Sequence, residues 1–237
     1  MKLNIGQIDG SDRPFILPAN AVTSTMIVLG GKGMGKTNLG GVLIEELHGD
    51  GKRFSVIDPM GVWWGIRHSE DGKKPGLDVL ILGGSHGDIP IDPQGGSVVA
   101  DLVVDESVNV VIDLKRKPDG TVWSVTERIR FVTDYITRLH SRQGEQRRPI
   151  MQIIDEAARF APQTIQRGQE HVAACLGALE RLVEEGRNDG IGTCLITQRS
   201  ARIAKALTEL ADLLIAFRTI GPNSVDAIMD WLGDHIE

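Results

Sequence analysis

The stretch that decides the fold is Gly30-Gly31-Lys32-Gly33-Met34-Gly35-Lys36-Thr37, which fits the pattern G-x-x-x-x-G-K-[ST]. It follows an apolar run, Met26–Leu29, and precedes a helix-like stretch, Asn38–His48. Glycines let the backbone turn so that several N–H groups point into one concavity at the positive end of a helix, where phosphates bind. The sequence therefore predicts a nucleotide-binding phosphate loop (P-loop) between a strand and a helix.

Most residues of this loop have a predicted role in binding the nucleotide. Lys36 is expected to reach the β- and γ-phosphates, and the Thr37 hydroxyl is expected to ligate Mg²⁺. The predicted nucleotide-binding residues are Gly31, Lys32, Gly33, Met34, Gly35, Lys36, Thr37 and Asn38.

A second motif supplies the groups that hydrolysis needs. The apolar run Met151–Ile154 ends in Asp155 and Glu156. Asp155 is predicted to hold Mg²⁺, and Glu156 to orient and polarise the attacking water. Two adjacent carboxylates at a strand end also occur as a helix N-cap, but the P-loop upstream favours the catalytic interpretation. The sequence therefore predicts an ATPase with ATP and Mg²⁺ as cofactors.

Short apolar runs alternate with helix-like stretches along the chain. Unbroken apolar runs are typical of a parallel sheet that is covered on both faces. The predicted strands are Met26–Leu29, Phe54–Asp58, Val79–Leu82, Val108–Leu114, Ile150–Ile154, Gly192–Thr197 and Leu213–Phe217. Further helices are predicted from an apolar stripe between Val122 and Leu139, and over Gln169–Glu185, Ala201–Leu210 and Ser224–Leu232. Loops and short strands are predicted over Gly61–Pro93.

This alternation predicts an α/β protein with a doubly wound, mostly parallel sheet and a P-loop NTPase core of the RecA-like (ASCE) type. In such a sheet the ligand binds at the C-terminal edge of the strands. Residues 1–25 are expected to be a short N-terminal lead-in, and residues 26–237 to form the ATPase core.

Composition narrows the functional class. Aromatic residues make up only 4% of the 237 residues, which argues against a protein that stacks single-stranded bases. No run approaches the roughly 18 apolar residues of a membrane span, and the N-terminus has no signal-peptide layout. We therefore expect no membrane partner and a cytoplasmic location, with Cys175 and Cys194 as buried free thiols in a reducing compartment.

Charge is unevenly distributed in this chain of net charge −6. The segment Lys115–Arg148 has nine Lys/Arg against four Asp/Glu, a net charge of +5, which leaves −11 for the rest. A basic face on an acidic protein is compatible with a polyanion track, which Lys115–Lys117 or Arg142–Arg148 would line. It is equally compatible with one solvated helix face flanked by two basic loops.

Four segments resemble the HerA–FtsK group of P-loop ATPases, and HerA-like members most closely. They are Leu29–Asn38, Val56–Gly61, Ile153–Pro162 and Glu185–Ser200. The last two carry the patterns DEA-x-RF-x-P and EGR…TQR, which separate this group from most other P-loop proteins. The resemblance implies a hexameric ring that hydrolyses ATP between subunits and moves double-stranded DNA through its centre, with a nuclease or other effector as a possible partner.

The same resemblance implies two further catalytic residues. Gln198 corresponds to the sensor at the end of a strand, and Arg187 to the arginine finger that reaches the nucleotide of a neighbouring subunit. Arg199 stays open as the alternative finger. The chain departs from the group pattern at Val62, where a glutamate usually follows D-P-x-G, and at Ser200, where TQRP has a proline.

Two other functions stay open. The N-terminal β-barrel of full HerA proteins has no counterpart in the short lead-in, and the overall charge is acidic. Both features are compatible with a nucleotide-dependent assembly or secretion ATPase whose ring acts on protein. A nucleotide-binding switch with little turnover is the third possibility, against which the intact set Lys36, Thr37, Asp155 and Glu156 argues.

Overall fold

A computed structural model of the chain describes residues 2–69 and 71–233. Seven strands form one parallel sheet, and two strands before it form an antiparallel hairpin. The hairpin strands are β1 (Leu3–Gln7) and β2 (Pro14–Leu17). The sheet strands are β3 (Thr25–Leu29), β4 (Arg53–Asp58), β5 (Leu80–Gly83), β6 (Val110–Asp113), β7 (Ile150–Ile154), β8 (Ile191–Thr197) and β9 (Leu213–Ala216). Their order across the sheet is β5-β6-β4-β7-β8-β3-β9.

Helices cover both faces of the sheet. They are α1 (Lys36–Gly49), α2 (Gly96–Asp105), α3 (Val125–Gln146), α4 (Glu170–Glu185), α5 (Lys205–Glu209) and α6 (Pro222–Gly233). One hydrophobic core joins the sheet to α2, α3, α4 and α5, and a second joins the opposite face to α1 and the hairpin. Successive side chains of a strand point to opposite faces, so in β3 Ile27 belongs to the first core and Val28 to the second.

The parallel arrangement brings several polar strand ends to one edge. Asp58 ends β4 and is paired in register with Asp113, which ends β6. Asp155 follows the next strand, β7, and the P-loop follows β3. In open α/β sheets ligands bind in the crevice at this C-terminal edge.

The predicted α/β class with a mostly parallel sheet is confirmed. Each of the seven predicted strands is present, although the run Val108–Leu114 narrows to Val110–Asp113. The predicted lead-in contains the β1–β2 hairpin, whose Leu3 and Leu17 are buried in the core beside α1. Both cysteines are free and buried, Cys175 in the first core and Cys194 in the second.

The predicted apolar stripe of the long helix is wrong at its beginning. Val122 and Val125 are exposed, whereas Ile129 and Leu139 are buried as expected. Ser124 caps α3 by accepting from the Glu127 N–H while the Glu127 carboxylate accepts from the Ser124 N–H. This capping box fixes the first turn, so the helix begins after Val122 and continues to Gln146.

Two other helix predictions need correction. The predicted helix Ala201–Leu210 is divided into a 3₁₀ turn, Ser200–Arg202, and the short helix α5. Helix α2 was not predicted, because its short apolar run follows a segment rich in Gly and Pro and resembles another strand or loop. Its buried face, which includes Val99 and Val103, packs in the same core as α3.

Candidate nucleotide-binding and catalytic site

The P-loop lies between β3 and α1, as the sequence predicts. Gly35 is the N-cap of α1 with φ of 96°, a left-handed conformation that a residue with a side chain adopts only with strain. Gly30 lies so close to Phe217 that a Cβ at position 30 would be 2.5 Å from the Cβ of Phe217. These two positions require glycine for different reasons, and together they shape the turn before the helix.

The residues after β9 hold the loop from its other side. The Gly31 N–H donates to the Arg218 carbonyl over 2.9 Å, and the Phe217 N–H donates to the Leu29 carbonyl over 2.7 Å. The sequence did not predict this contact, because 187 positions separate Gly31 from Arg218 and hydrogen bonds between main chains leave no pattern of side chains.

Lys36 is buried inside the loop, where its Nζ donates to the Gly31 carbonyl over 2.7 Å. Burial lowers the pKa of the Lys36 ammonium, while the carboxylates of Glu156 and Asp155 oppose that change. The Lys36 ammonium therefore lies near enough to both predicted acids to interact with their charges. Thr37 and Asn38, the next two residues of α1, are exposed at its first turn.

Asp155 is a buried carboxylate with both oxygens hydrogen-bonded. Its Oδ1 accepts from the Glu156 N–H at 2.9 Å, and its Oδ2 accepts from the Trp63 Nε1 at 2.9 Å. Burial raises the pKa of Asp155, and the two hydrogen bonds and the Lys36 ammonium oppose that change. The two hydrogen bonds fix the orientation of the Asp155 carboxylate.

Glu156 is half-buried next to Asp155 and has a left-handed backbone conformation, with φ of 50°. Its Oε1 accepts a hydrogen bond from the amide of Gln198, which follows β8. Burial raises the pKa of Glu156, and the neighbouring Asp155 raises it further. The structure therefore brings Lys36, Asp155, Glu156 and Gln198 together at one edge of the sheet.

Three residues of this edge were not predicted as site residues. Asp58 is buried and accepts the backbone N–H groups of residues 60 to 63, and burial raises its pKa to about 6. Asp113 is buried beside it and accepts from the Lys115 N–H. Trp63 is buried and reaches Asp155. For Asp58 the available signal was the segment Val56–Gly61, which the family resemblance already included.

A basic cleft opens beside Glu156 and Gln198. It has a volume of about 620 Å³, and its exposed cations are Lys32, Arg159, Arg199 and Arg202. Within residues 2–69 and 71–233, none of these four cations is within 4.0 Å of a carboxylate oxygen. Unpaired cations beside a P-loop are suited to the terminal phosphate of a nucleotide and to the charge that develops on it.

Arg187 lies at the opposite edge of the sheet. It belongs to the turn Gly186–Asp189 before β8, whereas Gln198 follows that strand. Seven strand residues span about 23 Å, so Arg187 is too far to reach the P-loop of its own chain. Its guanidinium is exposed, with one nitrogen 3.7 Å from an Asp212 carboxylate oxygen. The finger role of Arg187 stays a prediction that requires a neighbouring subunit.

The predicted Mg²⁺ ligands suit a site that is completed by phosphate. Among the described residues, no group of three or more His, Cys, Asp or Glu side chains could hold a metal ion. Mg²⁺ in phosphate-transfer sites needs only one or two protein ligands, because substrate phosphates and water supply the others. The Asp155 carboxylate and the Thr37 hydroxyl are oxygen donors that fit this requirement.

Comparisons with known proteins agree with this reading of the fold. No protein-family model matches the chain. A DNA double-strand break repair helicase HerA from Pyrococcus furiosus is 27% identical over 96 residues, which are 40% of this chain and 16% of that relative. The chain thus matches only a small part of the length of the HerA relative.

Solved structures share the fold over nearly the whole chain. The genome packaging NTPase B204 of Sulfolobus turreted icosahedral virus 2, in complex with ATP-γS, has a TM-score of 0.57 at 16% identity. The alignment covers 88% of this chain and 81% of B204. The pCW3 conjugation coupling protein TcpA, with ATP-γS, has a TM-score of 0.55 at 15% identity and covers 95% of this chain and 56% of TcpA. The chain therefore has the fold of a P-loop ATPase, and its likeness to the HerA–FtsK group is borne out.

Proposed function

We propose that this chain is an ATP-hydrolysing motor of the HerA–FtsK type that forms a hexameric ring and moves double-stranded DNA. Its cofactors are ATP and Mg²⁺, and a nuclease or other effector is its partner. The observation that carries the hydrolytic part is the convergence of Lys36, Asp155, Glu156 and Gln198 around one P-loop. The DNA substrate is supported by the HerA relative, a break-repair helicase, and by two structural neighbours named for genome packaging and conjugation.

The chemistry follows from what each side chain can do. Thr37 and Asp155 would hold Mg²⁺, which would supply positive charge against the terminal phosphates of ATP. Lys36 contacts the β- and γ-phosphates in place of the Gly31 carbonyl that it meets here. Glu156 orients a water molecule for attack and accepts its proton, and its raised pKa makes it a better base than an exposed glutamate.

The basic segment divides into paired and unpaired cations. Arg138 and Arg142 bind the α2 carboxylate of Asp101 over 2.7 to 2.8 Å, and Lys117 binds Glu127 over 3.0 Å. These cations are neutralised locally. Lys115 and Arg116, in contrast, are exposed on the turn after β6, and neither is within 4.0 Å of a carboxylate oxygen of the described residues.

The two basic loops lie at opposite ends of α3. A helix of 22 residues spans about 33 Å, so Lys115–Lys117 and Arg147–Arg148 belong to different edges of the sheet. We assign DNA contact to Lys115 and Arg116, because they share an edge with the P-loop and the aliphatic stem of Lys115 lies against Gly61 in the loop after β4. Such contacts go to phosphates, so binding is insensitive to base sequence and weakens steeply with salt.

DNA-stimulated ATP turnover tests this function. We expect long duplex DNA to stimulate the parent protein, and the double variant Lys115→Glu, Arg116→Glu to lose the stimulation while basal turnover is kept. The matched control is Lys73→Glu, Lys74→Glu, which makes the same charge change on an exposed turn elsewhere. If duplex DNA does not change the turnover of the parent protein, the result would instead support the assembly or secretion ATPase. The ion pairs of Arg138 and Arg142 with Asp101 also favour that alternative, because they leave fewer cations free for DNA.

A further inference from the structure

Trp63 lies in a turn that a single carboxylate organises. The Asp58 side chain accepts from the N–H groups of Met60 and Gly61 through Oδ1, and of Val62 and Trp63 through Oδ2. Four donors on one buried carboxylate leave this turn little freedom. Val62, at the position where the HerA–FtsK pattern has a glutamate, is exposed, so the residue that turns inward is Trp63.

The indole of Trp63 touches two elements of the nucleotide site at once. Its Nε1 donates to the Asp155 Oδ2 at 2.9 Å, and its ring is almost wholly buried. The far end of the ring lies over Gly40, one turn after Lys36 in α1. A Cβ at position 40 would be 2.5 Å from the Cη2 of Trp63, so only glycine leaves room for the ring.

These contacts hold the predicted metal ligand in place. The Asp155 Oδ1 accepts from the Glu156 main chain and its Oδ2 accepts from Trp63, so the carboxylate is fixed by donors on both oxygens. Mg²⁺ demands near-ideal octahedral geometry, and a carboxylate that rotates freely would bind it less well. Hydrogen bonds to metal-ligating carboxylates commonly account for ten- to hundredfold changes in metal affinity.

We propose that Trp63 is a positioning residue that orients the Asp155 carboxylate for Mg²⁺. Its ring N–H thereby determines the Mg²⁺ concentration at which the protein binds nucleotide. The inference rests on the proposed function only in that the site binds ATP with Mg²⁺. It requires neither hydrolysis nor DNA, because the hydrogen bond orients the Asp155 carboxylate for metal binding, which precedes any chemistry.

Nucleotide binding at varied Mg²⁺ concentration tests the proposal. Affinity for a non-hydrolysable ATP analogue is measured in the parent protein and in Trp63→Phe, across a Mg²⁺ series and in excess EDTA. We expect half-saturating Mg²⁺ to rise about tenfold in the variant, while affinity in EDTA changes less than about twofold. Trp64→Phe is the matched control, because the neighbouring Trp64 stacks on His86 instead.

Loss of ring volume is separated from loss of the donor by an isostere. Benzothienylalanine at position 63 replaces the ring N–H with sulfur and keeps the shape of indole. It therefore tests the role of the N–H even if Trp63→Phe does not fold. The isostere is expected to show the same rise in Mg²⁺ requirement. An unchanged requirement, or an equal loss of affinity in EDTA, would show that Trp63 only fills space and would overturn the inference.

Failure of the inference and failure of the proposed function give different results. A parent protein that binds the analogue in a Mg²⁺-dependent manner but neither hydrolyses ATP nor responds to DNA contradicts the motor, and the isostere still decides the role of Trp63. A parent protein whose nucleotide affinity ignores Mg²⁺ overturns both proposals.

Discussion

At the scale of single residues, Glu156 combines three features of a catalytic base. It has a left-handed backbone that ordinary residues rarely adopt, its pKa is raised by burial and by Asp155, and its carboxylate accepts from Gln198. Strained backbone held in place by its surroundings is typical of active sites. In the observed conformation the Glu156 carboxylate interacts with the charge of the P-loop lysine. It would therefore lie near a water molecule that attacks the terminal phosphate.

Replacing this proposed base while keeping its shape removes its charge and its ability to accept a proton. We expect Glu156→Gln to lower ATP turnover about 100-fold or more, with nucleotide affinity unchanged, in steady-state turnover and equilibrium binding. Glu170→Gln, at an exposed position of α4, controls for the loss of one charge. Similar turnover in Glu156→Gln and the parent would support the nucleotide-binding switch instead.

Asp58 makes stability depend on pH in a direction unusual for a carboxylate. Its folded pKa of about 6 exceeds the ordinary value of 3.8, so between these values the folded protein holds a proton that the unfolded chain has released. The contribution of Asp58 to the free energy of unfolding therefore falls as pH rises from about 4 to 6, by about 3 kcal/mol.

Chemical denaturation at pH 4.5 and pH 7.5 measures this effect. The free energy of unfolding is expected to fall less between these two pH values in Asp58→Asn than in the parent. Asp88 has a lowered pKa, because the Ile81 N–H and Arg67 stabilise its charge, so its contribution to stability is lost only below about pH 4. Asp88→Asn is therefore the control, and it is expected to leave the fall between pH 4.5 and pH 7.5 nearly unchanged. The same slope in the parent and in Asp58→Asn would contradict the assignment.

At the scale of elements, helix α1 shows how neighbouring glycines differ in purpose. Gly40 faces Trp63 and the Ile196 side chain, with no room for a methyl group, whereas nothing lies within 4 Å of a Cβ built at Gly41. A sequence pattern shows two adjacent glycines in a helix, which weaken it. The structure shows that only the first is required by packing.

Opposite effects are therefore expected from two adjacent substitutions. Gly40→Ala should lower the free energy of unfolding by about 1 to 3 kcal/mol through overpacking, and Gly41→Ala should raise it by about 0.5 to 1 kcal/mol through helix propensity. Thermal or urea denaturation of the two single variants measures both. Equal effects of either sign would contradict the contact between α1 and Trp63.

Local signals explain which elements could be predicted. The P-loop and the strand before Asp155 are contiguous patterns of glycine and apolar residues, so the sequence indicates them directly. The bond between Trp63 and Asp155 spans 92 positions, and the bond between Gly31 and Arg218 spans 187. Contacts of that range depend on strand order, which a single sequence does not encode in any local pattern.

At the scale of the whole molecule, the two edges of the sheet carry different parts of the proposed chemistry. The C-terminal edge holds the P-loop, the acids and the basic cleft, and the N-terminal edge holds Arg187 near Asp212. A site that needs both edges cannot be completed within one chain. Head-to-tail association of identical subunits, in which one edge meets the other, closes into a ring when its rotation permits.

Mixing two inactive variants tests this shared site. Arg187→Ala and Lys36→Ala are each expected to abolish turnover, and an equal mixture should restore it at about a quarter of the interfaces by random assembly. Arg181→Ala, a nearby exposed arginine, is expected to keep the activity of the parent. A mixture that stays inactive, or Arg187→Ala with parent turnover, would contradict a finger from the neighbour.

Within residues 2–69 and 71–233, no helix combines the length and the hydropathy of a membrane span. The two thiols lie on different faces of the sheet, Cys175 on the buried side of α4 and Cys194 in β8, in the core that includes α1. Each sulfur is sealed from solvent until its own layer opens. The rate at which each thiol becomes reactive during unfolding therefore reports on one face of the sheet. Cys194 reports on the face covered by α1, which follows the P-loop, and Cys175 reports on the face covered by α4.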